Sequence, residues 1–133
     1  MANRGDYYII VLKKAHLEWG THRYTNTRGI VYGEGYIKIP ADVAYGYELL
    51  NANGTGGTDE FGKNLFYCVS DDGLYEGVLR AQGNQDDRRY AKQFSEDGNL
   101  KGIGQWYAAI EAEVGDRIKV TWTSPTEITI KKI

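Results

Sequence analysis

The sequence predicts a mainly β (α+β) fold, in which about seven short antiparallel strands close or nearly close into a barrel with two short helices at its ends. Its 133 residues include 11 Tyr and 17 Gly but only 2 Pro. Tyrosine favours pleated, half-buried surfaces, and glycine favours tight turns between short strands. Short apolar runs recur between turn signals, and a barrel leaves such strands with few unpaired edges. The length predicts a single domain, residues 1–133.

The N-terminal part is predicted to form a strand followed by a long arm. Residues 6–14 contain a continuous run of strand formers from Tyr7 to Leu12, which is typical of a strand buried on both faces. Residues 15–29 mix polar, aromatic and basic side chains with the period of neither a strand nor a helix. We therefore expect an irregular loop or extended arm there, longer than a simple turn requires.

The clearest sequence pattern predicts a strand followed by a helix over residues 36–50. Ile37 and Ile39 lie on one face of the predicted strand, which ends at Pro40 because proline has no N–H to donate to a ladder. Proline also suits the first position of a helix. The apolar positions that predict the buried stripe of this helix are Val43, Tyr47 and Leu50.

A hairpin and a second polar arm are predicted in the middle of the chain. The glycine-rich residues 51–57 predict a helix stop and a flexible turn. Residues 65–70 predict a strand, Asp71-Asp72-Gly73 a tight turn, and residues 74–81 the returning strand. Residues 82–89, QGNQDDRR, follow as a second polar stretch that packing does not explain.

The C-terminal third is predicted to contain a strand, a helix and a hairpin. A short strand is expected over residues 90–94 and a helix over residues 104–114. Residues 117–123 and 127–132 alternate apolar and polar side chains around a turn that contains proline, so they predict a closing hairpin. The apolar stripe predicted for the helix is Trp106, Ile110 and Val114.

The sequence contains no recognisable catalytic or metal-binding motif. Cys68 is the only cysteine, so it has no disulfide partner within the chain, and its apolar neighbours predict a small buried side chain. His16 and His22 both lie in the irregular arm, and no nucleophile accompanies them at a recognisable spacing. We therefore expect that this chain is not an enzyme and that it holds no metal and no cofactor.

Charge and hydropathy narrow the choice of partners and location. The net charge of −2 is not typical of a nucleic-acid binder, but the first 28 residues have a small positive excess and Arg88, Arg89 and Lys92 form a basic cluster. The apolar run of residues 7–12 is too short for a membrane span or a secretory signal. A cytoplasmic location and no membrane partner are the expectation.

Three motifs in a fixed order carry a resemblance to a known family. They are IKIP at residues 37–40, leading into the predicted helix, SDDG at residues 70–73 in the middle hairpin, and VGDRIKV at residues 114–120 after the helix that bears Trp106. In this order they resemble the B-three superfamily of DNA-binding pseudobarrels. That superfamily includes plant transcription-factor domains and the recognition domains of restriction endonucleases of the EcoRII and BfiI types, and the bacterial branch is the more similar one.

The resemblance implies a seven-stranded antiparallel open pseudobarrel that grips double-stranded DNA with two arms in the major groove. One arm follows the first strand and the other joins the fourth and fifth strands, which here correspond to residues 22–28 and 82–89. Arginine can read guanine, amides can read adenine, and an aspartate can accept from cytosine. The side chains implied in DNA binding are Arg23, Tyr24, Asn26, Arg28, Gln82, Asn84, Gln85, Asp87, Arg88 and Arg89.

The expected function is sequence recognition without catalysis. The chain would be a recognition module, or a stand-alone relative, of a restriction-modification or other bacterial or phage defence protein, and a separate nuclease subunit would supply cleavage. The alternative is a small all-β ligand-binding protein for a carbohydrate or metabolite, with Trp19, Trp106 or tyrosines as stacking platforms. The first hypothesis requires basic and amide side chains on one face, and the second requires aromatic side chains exposed together.

Overall fold

The computed structural model describes residues 2–17, 35–52, 60–83 and 89–133. The strands in these ranges are β1 (Tyr7–Val11), β2 (Ile37–Lys38), β3 (Leu65–Ser70), β4 (Glu76–Gln82), β5 (Gln93–Glu96), β6 (Arg117–Ser124) and β7 (Glu127–Lys132). The helices are α1 (Lys14–Leu17), α2 (Ala41–Gly46) and α3 (Gly102–Ala109). Both predicted helices are present, and the single turn of α1 is an addition at the start of the first predicted arm.

The seven strands form one sheet in the order β1-β6-β7-β3-β4-β5-β2, which curves into a nearly closed barrel. The expectation of a wholly antiparallel sheet is wrong, because β3 and β7 pair in parallel, with Cys68 opposite Ile128. The other five pairings are antiparallel. Turn signals in the sequence set the direction of strands joined by a hairpin, whereas β3 and β7 are distant in sequence and meet only when the barrel assembles.

β1 lies at one end of the sheet, which corrects the expectation of a strand buried on both faces. Its burial alternates strictly, with Tyr8 and Ile10 in the core. A side chain on a strand points to the face opposite its neighbours, so an unbroken apolar run places half of its members outside when only one face is covered. The outward side chains are Tyr7, Ile9 and Val11.

Aromatic side chains hold the middle of the core together. The ring of Phe66 on β3 lies edge-on to Phe94 of β5, with 5.4 Å between the centroids, and edge-on to Trp122 of β6 at 6.1 Å. Tyr47, after α2, approaches Trp122 at 5.1 Å. Edge-to-face contacts of this kind stabilise beyond the area they bury, by roughly 0.5–1.5 kcal/mol each. They tie the two halves of the sheet and the α2 segment into one core.

The strand and helix predicted from residues 36–50 are present but shorter. Pro40 precedes the first turn of α2 rather than forming part of it, with φ −59° and ψ 148°. The chain leaves the helix after Gly46 through a left-handed residue, Glu48, at φ 54°. Ala44 and Leu49 are fully buried, while the three residues of the predicted stripe are only partly buried. Within this short helix, the small side chain of Ala44 is the one that is buried.

α3 ends several residues before the predicted helix does. Glu111 adopts a left-handed conformation at φ 52°, and the N–H of Ala112 donates to the carbonyl of Tyr107 at 2.9 Å, which closes the helix end. Trp106 is buried, Ile110 is partly buried, and Val114 is 63% exposed, so the predicted apolar stripe holds for its first turn only. Among the described helices, none has the length and apolar character that crossing a bilayer requires.

The Asp71-Asp72-Gly73 turn joins β3 to β4 as predicted, with Gly73 at φ 76°. Asp72 accepts hydrogen bonds from the Ser70 hydroxyl, from the N–H of Leu74 at 2.8 Å, and from Nε1 of Trp106 at 3.2 Å. Desolvation alone would raise the pKa of Asp72, but these hydrogen bonds outweigh it and lower that pKa. The Asp72 carboxylate therefore stabilises the turn and holds α3 against it through Trp106.

Candidate nucleic-acid interface

The DNA-binding residues implied by the sequence fall mostly outside the described ranges. Gln82, at the end of β4, and Arg89 are described. The side chains of the first arm and the central side chains of the second lie outside the described residues: Arg23, Tyr24, Asn26, Arg28, Asn84, Gln85, Asp87 and Arg88. What the structure describes is the framework on either side of the two predicted arms.

The described residues on either side of the first predicted arm meet at one point. The N–H of Tyr36 donates to the carbonyl of His16 at 3.2 Å, and the two rings meet edge-on at 5.1 Å. The Tyr107 hydroxyl of α3 donates to the carbonyl of Tyr36 at 2.8 Å. A Cβ on Gly35 would stand 2.9 Å from the Cα of Gly104, so only glycine permits this close approach of arm and helix. The root of the first arm is thus held by main-chain and side-chain contacts.

His16 is a structural side chain at this root. Its Nδ1 accepts from the N–H of Lys13 at 3.1 Å, which places the remaining ring proton on Nε2. Burial, with smaller contributions from the charges of Lys13 and Lys38, lowers the pKa of His16 to about 4. The ring is therefore neutral at physiological pH.

The second arm has an equally firm root, and Asn51 is its centre. The Asn51 side chain is fully buried, and its Oδ1 accepts from the N–H of Gly83 at 2.8 Å. Its own N–H donates to the carbonyl of Arg89 at 2.9 Å, so one residue contacts both the outgoing and the returning segment. The N–H of Lys92 also donates to the carbonyl of Gln82 at 2.9 Å. Sequence reasoning assigned Asn51 only to a helix stop, because nothing local indicates its burial.

Aromatic side chains flank the point where the second arm returns. The guanidinium of Arg89 lies 5.4 Å from the ring centroid of Tyr90, and Tyr45 of α2 lies 5.5 Å from the same ring. Tyr90 is not part of a strand as predicted but forms an isolated bridge to Leu50, and β5 begins at Gln93. Tyr45 is 70% exposed. Tyr45 and Arg89 therefore each contact Tyr90, and an exposed tyrosine can stack on a base or sugar while an arginine contacts phosphate.

A row of polar side chains crosses the sheet between the two roots. Lys38 on β2 is opposite Gln93 on β5, which is opposite Gln82 on β4. Directly opposed residues share a face and lie about 5 Å apart. The adjacent row, Ile37, Phe94 and Ala81, is buried in the core, so the polar row is on the outer face. It presents one ammonium and two amides, groups that bind phosphates and base edges.

Sequence reasoning identified Gln82 but missed Lys38 and Gln93. The two residues lie on different strands, which are distant in sequence. Only the pairing register of β2, β5 and β4 places them in one row with Gln82. The available signal was the single polar position between Ile37 and Ile39, which indicates an outward-facing lysine on that strand.

The described ranges show no set of side chains suited to metal or thiol chemistry. Among these residues, no group of three or more His, Cys, Asp or Glu could hold a metal ion. Cys68 is fully buried, as expected from the sequence, and burial raises the pKa of its thiol. Trp106 is buried, and its Nε1 donates a hydrogen bond to Asp72. It is therefore not available as the stacking platform that the ligand-binding alternative requires.

Comparison with known proteins gives a likeness of structure but none of sequence family. No protein-family model matches the chain, and no curated protein matches it significantly. Among solved structures, the chain is similar to the N-terminal domain of Helicobacter pylori LlaJI.R1, with a TM-score of 0.54 and 10% sequence identity. The match covers 96% of this chain and 87% of the other chain. At this identity the likeness is one of fold, and it extends over nearly all of the barrel described above.

Proposed function

We propose that this chain is a non-catalytic domain that binds double-stranded DNA in a sequence-specific manner, with both arms in the major groove. The observation that carries the proposal is the polar row of Lys38, Gln93 and Gln82, which runs between the two arm roots on the outer face of the sheet. DNA bound by both arms would lie across this row.

The chemistry of the described side chains fits such a complex. Lys38 would contact a phosphate, Gln93 and Gln82 would contact phosphate or base edges, and Arg89 would reach a phosphate or a guanine. Tyr45 would pack against a sugar or base beside Arg89. The remaining contacts are assigned, from the family resemblance, to the arms: Arg23, Tyr24, Asn26, Arg28, Asn84, Gln85, Asp87 and Arg88.

The fixed arm roots support the same function. A long arm that orders on binding loses conformational entropy, and this loss is smaller when both of its ends are already held. Here His16 with Tyr36, and Asn51 with Gly83 and Arg89, hold the ends of the two arms.

The fold likeness and the sequence motifs support the assignment to defence. The motifs at residues 37–40, 70–73 and 114–120 resemble the restriction-associated branch of the B-three superfamily. The seven-stranded, nearly closed barrel supports this resemblance in outline, although its β3–β7 pairing is parallel. Within the proposal, the chain is a recognition module or a stand-alone relative of a restriction protein, and a separate nuclease subunit cuts the DNA.

Selection from random DNA tests the proposal directly. The chain is incubated with a pool of random double-stranded oligonucleotides at low and moderate salt, and the retained DNA is sequenced. We expect enrichment of a short motif, with affinity that falls as salt rises because phosphate contacts release counterions. The absence of retention even at low salt would contradict DNA binding and would direct the search to glycans and metabolites.

A further inference from the structure

The outer edge of β1 has main-chain groups that lack a partner among the described residues. β1 is the terminal strand of the sheet and pairs with β6. At the two ends of that ladder, the carbonyl of Asp6 accepts from the N–H of Trp122 and the N–H of Leu12 donates to the carbonyl of Asp116, both at 2.8 Å. Hydrogen-bonded positions alternate along an antiparallel ladder. The residues whose N–H and C=O groups point away from β6 are therefore Tyr7, Ile9 and Val11.

This edge is almost entirely open within the described part of the chain. The carbonyl of Tyr7 accepts a hydrogen bond from the Tyr47 hydroxyl at 3.4 Å. Across the described residues, no partner is found for the N–H or C=O of Ile9 or Val11. A row of this kind is completed by another extended segment that adds to the sheet as a strand.

The outer face beside the edge is apolar. Tyr7 is 53% exposed, Ile9 is 42% exposed and Val11 is 51% exposed, and they lie consecutively on one face of the strand. Natural edge strands are usually protected by charges, bulges or proline. β1 has none of these within Tyr7–Val11, so it has the features of a strand that receives a partner.

The charge around the edge indicates the chemistry of that partner. Lys119 on β6 is opposite Ile9 and extends over β1, with its Nζ 4.5 Å from the ring centroid of Tyr7. Arg117 is opposite Val11. Among the described residues, neither cation has a carboxylate within ion-pair distance, whereas the neighbouring strand β7 has its cations paired: Lys131 with Asp71 at 3.8 Å and Lys132 with Asp116 at 3.3 Å.

We propose that the β1 edge binds an extended acidic peptide, a segment of a partner protein, which adds to the sheet as a strand beside β1. Its carboxylates at alternate positions would share the outer face with the Lys119 and Arg117 side chains, and the residues between them would be apolar and face the barrel. A second copy of this chain fits less well, because it would add a second Arg117 and Lys119 without acids to balance them. The proposal does not depend on DNA binding.

Peptide binding tests this surface. The probe is a fluorescein-labelled nonapeptide of alternating glutamate and valine, titrated with the full chain by fluorescence polarisation at moderate salt. Its control has the same composition with the glutamates and valines in separate blocks. We expect the alternating peptide to bind at least about tenfold more tightly, since only it can pair along the edge with its carboxylates on one face.

Two variants separate main-chain pairing from charge. Ile9→Pro removes an N–H that faces the free edge and not the β6 ladder, so the fold tolerates it and the peptide affinity falls at least about tenfold. Its matched control, Ile9→Thr, keeps the N–H and should retain binding within about threefold. Arg117→Glu combined with Lys119→Glu should reverse the preference, toward an alternating lysine and valine peptide.

Four results would overturn the proposal. Equal affinity for the alternating and block peptides would reduce the interaction to unspecific charge attraction. Dimerisation of the chain in sedimentation velocity that disappears in Ile9→Pro would assign the edge to a second copy. Loss of DNA retention in Arg117→Glu with Lys119→Glu would assign these cations to DNA. DNA retention by the wild-type chain without any peptide binding would leave the proposed DNA function intact and rule out the peptide-binding edge.

Discussion

The buried amide of Asn51 connects the stability of the barrel to the position of the second arm. It contacts Gly83 where the arm leaves and Arg89 where it returns. The side-chain Oδ1 of Asn51 accepts the hydrogen bond at the Gly83 end, and its main-chain N–H donates the one at the Arg89 end, so one residue fixes both ends of the loop. The residue contacts no DNA in the proposed complex and acts by positioning residues that do.

Asn51→Ala should therefore weaken both folding and DNA binding. Loss of a buried amide typically costs about 1–3 kcal/mol of unfolding free energy. We expect this loss in urea denaturation, together with a several-fold lower DNA affinity in fluorescence polarisation. The matched control is Ser70→Ala at the other end of the β3–β4 hairpin, where the Ser70 oxygen accepts from the N–H of Tyr75 at 2.8 Å. Equal affinity losses in both variants would contradict a specific role for Asn51.

His16 makes the root of the first arm sensitive to acid. The folded state favours its neutral form, with a pKa of about 4, whereas the unfolded chain takes up the proton near pH 6.5. Between these values the unfolded state binds more protons, so stability falls as the pH decreases from about 6.5 to about 4. Above this window the imidazole has no effect on the pH dependence of stability.

Urea denaturation at pH 7 and pH 5 measures this effect. The wild-type chain should lose about 1–2 kcal/mol more than His16→Asn between the two pH values, after the full shift is discounted for solvent screening. Asparagine is the matched variant, because its side-chain oxygen can replace Nδ1 as the acceptor for the N–H of Lys13. The same pH dependence in both proteins would show that other groups are responsible.

At the scale of elements, strand register creates the candidate interface. β2 has only two residues, yet its pairing with β5 aligns Lys38 with Gln93, and the pairing of β5 with β4 continues the row to Gln82. A shift of one residue in either pairing would turn its polar side chains into the core and its apolar ones to solvent. The buried row of Ile37, Phe94 and Ala81 therefore stabilises the register that keeps the polar row outside.

The polar row can be tested by removing its charge. Lys38→Gln should lower DNA affinity by about three- to tenfold and reduce the salt dependence of binding by about one ion, because one phosphate contact is lost. Gln93→Ala should relax the preference at one position of the selected motif if its amide reads a base. The charge control is Lys131→Gln on β7, which removes an exposed ion pair with Asp71 and should leave DNA binding unchanged. An unaltered salt dependence in Lys38→Gln would remove β2 from the interface.

At the scale of the whole molecule, sequence patterns predicted the elements better than their arrangement. The β3–β4 hairpin, its Asp-Asp-Gly turn and the closing β6–β7 hairpin are all present where they were expected. The end of α3 was misplaced because the helix closes at a left-handed residue, Glu111, which is not a glycine. The start of β5 was misplaced because Tyr90 pairs with Leu50, which is distant in sequence. Of the candidate interface, Gln82 and Arg89 were predicted, whereas Lys38, Gln93, Tyr45 and Asn51 were not.

The sequence by itself determined the mainly β composition, the seven strands, the hairpin turns and the two segments between strands that packing does not explain. These follow from side-chain alternation and turn chemistry, which act over a few residues. Only the tertiary structure decided that β3 and β7 run in parallel, that β1 is the terminal strand of the described sheet, and that Lys38 and Gln93 join Gln82 on one face. Pairing between distant strands depends on closing the barrel over one shared core, and no local pattern in the chain specifies that closure.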